Sequence, residues 1–357
     1  MNSTKKPKSI ADRIIQASFI VGLAHIFLKF IGLIQIKFAT QYLDSGQYEA
    51  IMVVAFTGVI NSLFLIGEEV IRPSFLTIFL REKEEKSEKA AWEYGSVVLS
   101  FQSILLLAVV LSIICFPDFY IHLFTKWRFE ENAQRYNMLR SSLQILAPML
   151  FFMSLGSTTY VMLNGYKKFF IAAFGDTSTK ICIIIGLFFG MGIFGLDYRA
   201  FFAGLLIGSV AKLVTHCIGF GKKLLFFRPS LNWKNPAFRA MLLVMLPLVA
   251  GTVFAKVRDN FNNIYVLTHI NEQGVLMAND LGRRLFFSIQ WLVPMSLQIA
   301  LFPFLCELAS KNDKEKLGEI LGTSSRMLLS IFMPAALCLS ILAMPISVFI
   351  FYGGKTG

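Results

Sequence analysis

Long apolar runs separated by short polar segments dominate this sequence. A sliding window finds nine runs, each long enough for the roughly 20-residue helix that crosses a bilayer. The predicted spans are residues 14–40, 50–80, 96–117, 139–163, 169–195, 200–220, 241–269, 275–306 and 327–351. The pattern therefore predicts an all-α polytopic membrane protein with about nine transmembrane helices.

The second run differs from the others in length and in content. Residues 50–80 are too many for one straight crossing, and they include Gly67, Glu68, Glu69, Arg72 and Pro73. We expect the helix to break at this point. A broken helix inside a membrane usually lines a cavity, because its free backbone groups need polar partners.

Composition excludes a cytosolic enzyme. Of the 357 residues, 55% are apolar and 16% are charged, whereas soluble proteins contain about 25% charged residues. The five cysteines lie singly in apolar runs, where we expect them to act as small apolar side chains. The sequence has no P-loop, dinucleotide fingerprint or HExxH motif, and its four histidines lack metal-ligand spacing. It therefore predicts no catalytic residue, metal or cofactor, and leaves open a coupling ion.

Charge distribution orients the predicted helices. Nineteen Lys and Arg lie in the N-terminal tail and the alternate loops on its side, against five in the opposite set. Because cytoplasmic loops carry the excess, the N-terminus is predicted to be cytoplasmic and the first run to be a retained span. The net charge of +12 is then mainly topological, so no nucleic-acid partner is needed.

Landmarks recur along the chain at a nearly constant offset. Gly46 matches Gly274 and Pro117 matches Pro345, both at an offset of 228, while Pro73 matches Pro303 at an offset of 230. The repeat predicts a tail at 1–13, a six-helix lobe at 14–220, a basic cytoplasmic linker at 221–240 and the first three helices of a second lobe at 241–357. Since repeated transporter halves enclose a shared cavity, we expect the sequence to be truncated.

Several segments resemble the lipid II flippases of peptidoglycan synthesis, the MurJ or MviN family. The similarity is strongest from Leu246 to Gly354, and weaker matches are LNGYKKF at 163–169 and the cluster of Glu68, Glu69 and Arg72. The stronger segments are LPLVAG, the DN pair at 259–260, RRL at 283–285, ALFPFL at 300–305 and MPISVFIFYGG at 344–354. The resemblance implies a protein of the bacterial inner membrane.

What the resemblance implies is transport without hydrolysis. An undecaprenyl-diphosphate-linked glycan, lipid II, would pass from the cytoplasmic to the outer leaflet through a cationic cavity by alternating access, with cell wall synthesis proteins as possible partners. Other hypotheses stay open: an O-antigen or capsule oligosaccharide flippase, a cation-coupled drug exporter, a membrane glycosyltransferase or ligase, and a non-transporting scaffold.

Ten Lys and Arg against five Asp and Glu lie in or beside the predicted spans, and such a surplus favours a hydrated cavity that accepts anions. The resemblance makes Arg284 the first candidate for substrate binding. Arg283 is another, or it pairs with Asp280 at i,i+3 spacing. Four further cations could instead extend from helix ends towards water: Lys37, Arg140, Lys180 and Lys212.

His25 and Lys29 share a helix face in the first span, where the family usually has two arginines, so they are candidate substrate contacts, as is Arg72. Alternatively, Lys29 neutralises Glu68. Candidates for gating or ion coupling are the carboxylates at or near the spans: Glu68, Glu69, Asp259 and Asp280. Internal ion pairs, such as Glu68 with Arg72 or Asp259 with Lys256 and Arg258, are the alternative.

Overall fold

A computed structural model describes residues 30–270, 272–292 and 314–351 of the chain. Every regular element in these ranges is helical. The helices are α1 (30–42), α2 (Ser45–Lys86), α3 (Glu88–Cys115), α4 (Pro117–Phe124), α5 (Ala133–Gly165), α6 (Phe169–Ile193), α7 (Arg199–Phe226), α8 (Pro236–His269), α9 (Val275–Leu292) and α10 (Lys314–Phe351).

Seven of the described helices are long and apolar enough to span a membrane: α2, α3, α5, α6, α7, α8 and α10. This confirms the predicted all-α polytopic class. The total of nine spans stays a prediction, because the runs 14–40 and 275–306 extend outside the described residues.

The predicted break in the second span is wrong, since α2 is continuous from Ser45 to Lys86. Pro73 lies inside the helix and lacks the N–H that would bond one turn back. Two hydroxyls add bonds beside the proline, since Ser74 Oγ donates to the Val70 carbonyl at 2.7 Å and Thr77 Oγ1 donates to the Pro73 carbonyl at 3.1 Å. The helix continues although Pro73 removes the one backbone bond that would reach the Glu69 carbonyl.

Polar caps set the helix starts. The side chain of Asp44 accepts from Gln47 N–H at the start of α2, and the hydroxyl of Ser87 accepts from Ala90 N–H at the start of α3. Asn235 accepts two backbone N–H groups at the start of α8. Each cap satisfies donors that the first helical turn leaves free.

Aromatic and small residues pack α2, α3, α5 and α7. The Trp92 indole donates to the Tyr166 hydroxyl at 2.8 Å, and Phe75 stacks on Tyr94 with ring centroids 5.2 Å apart. Between α6 and α7, a Cβ added at Gly204 would lie 2.7 Å from the Cys182 carbonyl. Glycine therefore permits close backbone approach, as is typical of helix interfaces in membranes.

The chain divides into two compact units, Met1–Met277 and Ala278–Gly357. The first unit includes α8, which follows the basic linker. The second contains most of α9 and all of α10. The lobe boundaries expected from the repeat, 14–220, 221–240 and 241–357, stay predictions.

Candidate functional site

Each of the five carboxylates counted in or beside the spans contacts a Lys or Arg. Two of the pairs bridge different helices, and three are formed within one helix. The pairs are Glu68 with Arg72, Glu69 Oε1 with Lys256 Nζ (2.7 Å), Asp176 Oδ1 with Lys212 Nζ (2.6 Å), Asp259 Oδ1 with Arg258 Nη2 (3.0 Å), and Asp280 Oδ2 with Arg284 Nε (2.7 Å). The structure therefore shows these carboxylates in ion pairs, which were the predicted alternative to gating or ion coupling.

Polar contacts join α2 to α8 in the first unit. Besides the pair of Glu69 and Lys256, Asn260 Nδ2 donates to Ser62 Oγ at 2.9 Å. One turn further along, a Cβ added at Gly58 would lie 2.8 Å from Ile264 Cδ1. These contacts place three predicted residues near one helix interface: Glu68, Glu69 and Asp259. Of the two cations expected near Asp259, Arg258 contacts it, whereas Lys256 reaches Glu69.

Glu68 and Arg72 line a small polar pocket between α2, α3 and α5. The pocket is also lined by Gln102, Ser154, Ser157 and Thr158. The Gln102 amide donates to the Ser154 carbonyl at 3.0 Å and accepts from Thr158 Oγ1 at 2.7 Å. The Arg72 guanidinium also lies 5.5 Å from the centroid of the Tyr160 ring. The side chain of Arg72 is 51% exposed.

In the second unit, Asp280 pairs with Arg284 and not with Arg283. The alternative interpretation, an i,i+3 pair of Asp280 with Arg283, is therefore not what the structure shows. Both spacings bring side chains together on a helix, and Arg283 is turned about 100° from Arg284. The guanidinium of Arg283 instead lies 5.6 Å from the centroid of the Phe287 ring. His25 and Lys29 lie outside the described residues, so their predicted roles stay predictions.

A buried acid that sequence reasoning missed lies at the start of α2. The side chain of Glu49 is 0% exposed, and its Oε2 contacts Arg135 Nη2 on α5. Its Oε1 accepts the backbone N–H groups of Gly274 (2.8 Å), Leu276 (2.9 Å) and Met277 (3.4 Å). One carboxylate thus caps the N-terminus of α9, where free N–H groups and the helix dipole favour negative charge.

The partner of Glu49 is held in place by the loop before α5. The Arg135 guanidinium carbon lies 3.9 Å from the centroid of the Trp127 ring. The backbone N–H of Lys126 donates to Thr268 Oγ1 at 3.0 Å, which connects this loop to the end of α8. We call the set of Glu49, Arg135, Trp127 and the N–H groups of 274–277 the Glu49 latch. The charge count predicts that it lies on the outer side of the membrane.

Comparison with known proteins places the chain in a family. The family model described as lipid II flippase MurJ matches residues 39–357. The chain belongs to the MurJ lipid II flippase family. This confirms the resemblance drawn from the motifs.

Two similar MurJ relatives are named probable lipid II flippases. The relative from Buchnera aphidicola subsp. Schizaphis graminum is 23% identical over 345 residues, and the one from Borreliella burgdorferi is 23% identical over 347 residues. Each alignment covers 96% of this chain and 66% of the relative. The chain thus spans just under two thirds of the length of these relatives.

A solved MurJ structure shares the fold. The structure, titled lipid II flippase MurJ in an inward closed conformation, matches with a TM-score of 0.74 at 21% identity. The match covers 95% of this chain and 68% of that chain. At this identity the likeness shows the fold alone.

One further polar cluster lies inside the first unit of this MurJ-family chain. The Lys212 side chain is 8% exposed and pairs with Asp176, so the expectation that it extends from a helix end towards water is wrong. One turn along, His216 Nδ1 lies 2.9 Å from Thr159 Oγ1, and Nε2 lies 3.1 Å from the Ala172 carbonyl. Glycines make room for both side chains, because a Cβ at Gly156 or Gly175 would contact Lys212 or His216. These contacts satisfy both groups inside the helix bundle.

Proposed function

We propose that this chain carries lipid II, a polyprenyl-diphosphate-linked peptidoglycan precursor, from the cytoplasmic to the outer leaflet by alternating access. The observation that carries the proposal is the set of carboxylate–cation pairs within the helices, together with membership of the MurJ family. The protein would act as a transporter and not as an enzyme. It would lie in the bacterial inner membrane with its N-terminus in the cytoplasm, as the charge count predicts.

The pairs suit a diphosphate cargo for a physical reason. Charges in a low-dielectric cavity are costly unless they are neutralised. When no cargo is bound, carboxylates such as Glu69 neutralise cations such as Lys256. A diphosphate carries more than one negative charge and is the stronger acceptor, so it would take the place of the carboxylate. Arginine at 72 and 284 adds the fork geometry that matches phosphate oxygens. Cargo binding would therefore replace carboxylate–cation pairs by phosphate–cation pairs. This avoids the free-energy cost of leaving a charge unpaired in the cavity.

The Glu49 latch supports the gating part of the proposal. It joins the start of α2 to the start of α9 through a fully buried carboxylate. A path to the outer leaflet that opens between these helices requires all of these contacts to break together. We therefore propose that the latch holds the outer side closed and that its release accompanies delivery of the cargo.

The family match favours lipid II over O-antigen or capsule glycans. A cation-coupled drug exporter would need a carboxylate available to a cation, whereas the five carboxylates counted in or beside the predicted spans are all in contact with Lys or Arg.

A depletion experiment tests this function. The full gene product would be expressed in a bacterium depleted of its own lipid II flippase, and a membrane-impermeant enzyme that cleaves the diphosphate link would report outer-leaflet lipid II. We expect both growth and outer-leaflet access to be restored. Restoration of O-antigen or capsule export without lipid II access would overturn the proposal.

A further inference from the structure

The last turns of α7 and the segment that connects it to α8 are exposed and apolar. We call residues 221–235 the linker strip. Its large apolar side chains point away from the helix bundle, and Leu225 is 82% exposed and Trp233 is 59% exposed. The others that are exposed are Leu224, Phe226, Phe227 and Leu231. Exposure of these apolar side chains to water is unfavourable in free energy. Contiguous exposed apolar patches usually mark an interaction site.

The linker strip is nevertheless fixed to the bundle by its backbone. Arg228 N–H donates to Ser96 Oγ at 3.1 Å, and Ser230 N–H donates to Ser100 Oγ at 3.0 Å. Ser96 and Ser100 lie one turn apart on α3, so the strip runs along that helix. Such side-chain acceptors satisfy non-helical backbone where water is scarce. The fixed backbone means that the exposed side chains have a defined direction.

The strip is also cationic and lacks acids. No Asp or Glu occurs from residue 198 to residue 258. Lys223 pairs with Glu88 of α3, but Lys222, Arg228 and Lys234 form no salt bridge in the part of the chain that the structure describes. The neighbouring segment 81–93, on the same predicted side, carries five Glu among its Lys and Arg. The strip therefore carries positive charge that no acid within it compensates, unlike segment 81–93.

We propose that the linker strip is a binding site for anionic phospholipid headgroups in the cytoplasmic leaflet. Its apolar side chains would enter the boundary between headgroups and acyl chains, as exposed Leu, Phe and Trp do in interfacial segments. Lys222, Arg228 and Lys234 would contact headgroup phosphates, whose surface potential attracts basic residues beside the membrane. The occupant is a phosphatidylglycerol-type lipid, whose headgroup keeps a net negative charge. The proposal rests on the predicted orientation and not on the cargo.

Lipid binding can be measured directly. The full protein would be reconstituted in nanodiscs of equimolar phosphatidylcholine and phosphatidylglycerol, and native mass spectrometry would count the retained lipids. Each charge beside the membrane changes partitioning by about fivefold. We therefore expect the triple variant Lys222→Gln, Arg228→Gln and Lys234→Gln to lose the preference for phosphatidylglycerol by at least about tenfold.

A matched control separates a site from general attraction. The variant Arg81→Gln, Lys86→Gln and Lys89→Gln removes the same charge from the acid-rich segment on the same predicted side. It should keep the native lipid preference. Equal loss in both variants, or no loss in the strip variant, would overturn the proposal.

A second measurement does not depend on removing charge. An environment-sensitive fluorophore would be attached through Leu225→Cys, with the native cysteines replaced by serine. Lipids brominated near the headgroup should quench it. Quenching by aqueous iodide alone would place the strip in water and refute the proposal. Both measurements are made without lipid II, so they can fail while the proposed transport stands.

Discussion

Two substitutions of Glu49 perturb the proposed outer gate to different degrees. Glu49→Gln keeps the size and one carbonyl oxygen but removes the charge, whereas Glu49→Ala also removes the cap on α9. Both leave Arg135 without its carboxylate. If the latch holds the outer side closed, both variants will shift the protein towards an outward-open state, and the alanine variant will shift it more.

The size of the shift follows from the contacts. Removing one partner of a buried ion pair costs about 3–5 kcal/mol. We take the lower end because the Arg135 side chain is 18% exposed and stacks on Trp127. Two of the N–H bonds to Glu49 are short, at 2.8 and 2.9 Å. A change of about 3 kcal/mol alters the ratio of closed to open molecules by on the order of 100-fold.

Electron–electron distance measurements can detect such a change. Spin labels at Glu130 and Glu272, both exposed on the predicted outer side, would be introduced into a variant without native cysteines. We expect a single short distance when Glu49 is present. Glu49→Gln should add a longer component, which should dominate in Glu49→Ala.

Glu131→Gln is the control, because it removes an exposed acid from the same side. Its distance distribution should match that of the parent. An unchanged distribution in a folded Glu49→Ala protein would refute the gating role of the latch.

Two further predictions concern a functional cation and a packed glycine. Lys256→Gln should lower outer-leaflet access to lipid II by at least about tenfold. Glu69→Gln should retain that access, because the Lys256 cation remains. Equal losses in the two variants would contradict the proposed exchange of ion pairs. Neither should change thermal stability much, since partly exposed pairs contribute about 0–1 kcal/mol. Gly175→Ala places a methyl group against His216 and should destabilise the fold by about 1–3 kcal/mol. Gly251→Ala, where no atom lies within 4 Å of the added Cβ, should melt at or above the parent temperature.

Apolar runs predicted the existence of the helices better than their lengths. The third span was predicted from residue 96, whereas α3 begins at Glu88. Hydropathy measures the part of a helix that suits lipid, and the polar first turns of α3 lie outside that part. The break expected at Pro73 failed for a related reason. Proline removes one backbone bond, and α2 continues through Pro73 in spite of that loss.

Local ion pairs were predictable, and distant ones were not. Spacing along one helix suggested Glu68 with Arg72, and it allowed Asp280 to pair with either Arg283 or Arg284. Lys256 and Glu69 are separated by 187 positions, and no helical rule connects them. Glu49 gave even less signal, because an acid near the start of a span resembles an ordinary loop residue. Only packing shows that its carboxylate is buried against another helix.

The Glu49 latch also has a symmetry. The offset of 228 residues that relates Gly46 to Gly274 also relates Glu49 to Met277, whose N–H it binds. In the predicted repeat, Glu49 therefore contacts the backbone of its own equivalent position. Met277 has no carboxylate to return the interaction, so one acid supplies a contact that two acids would share if both positions carried one. A single substitution at Glu49 would therefore remove the contact between the two predicted equivalent positions.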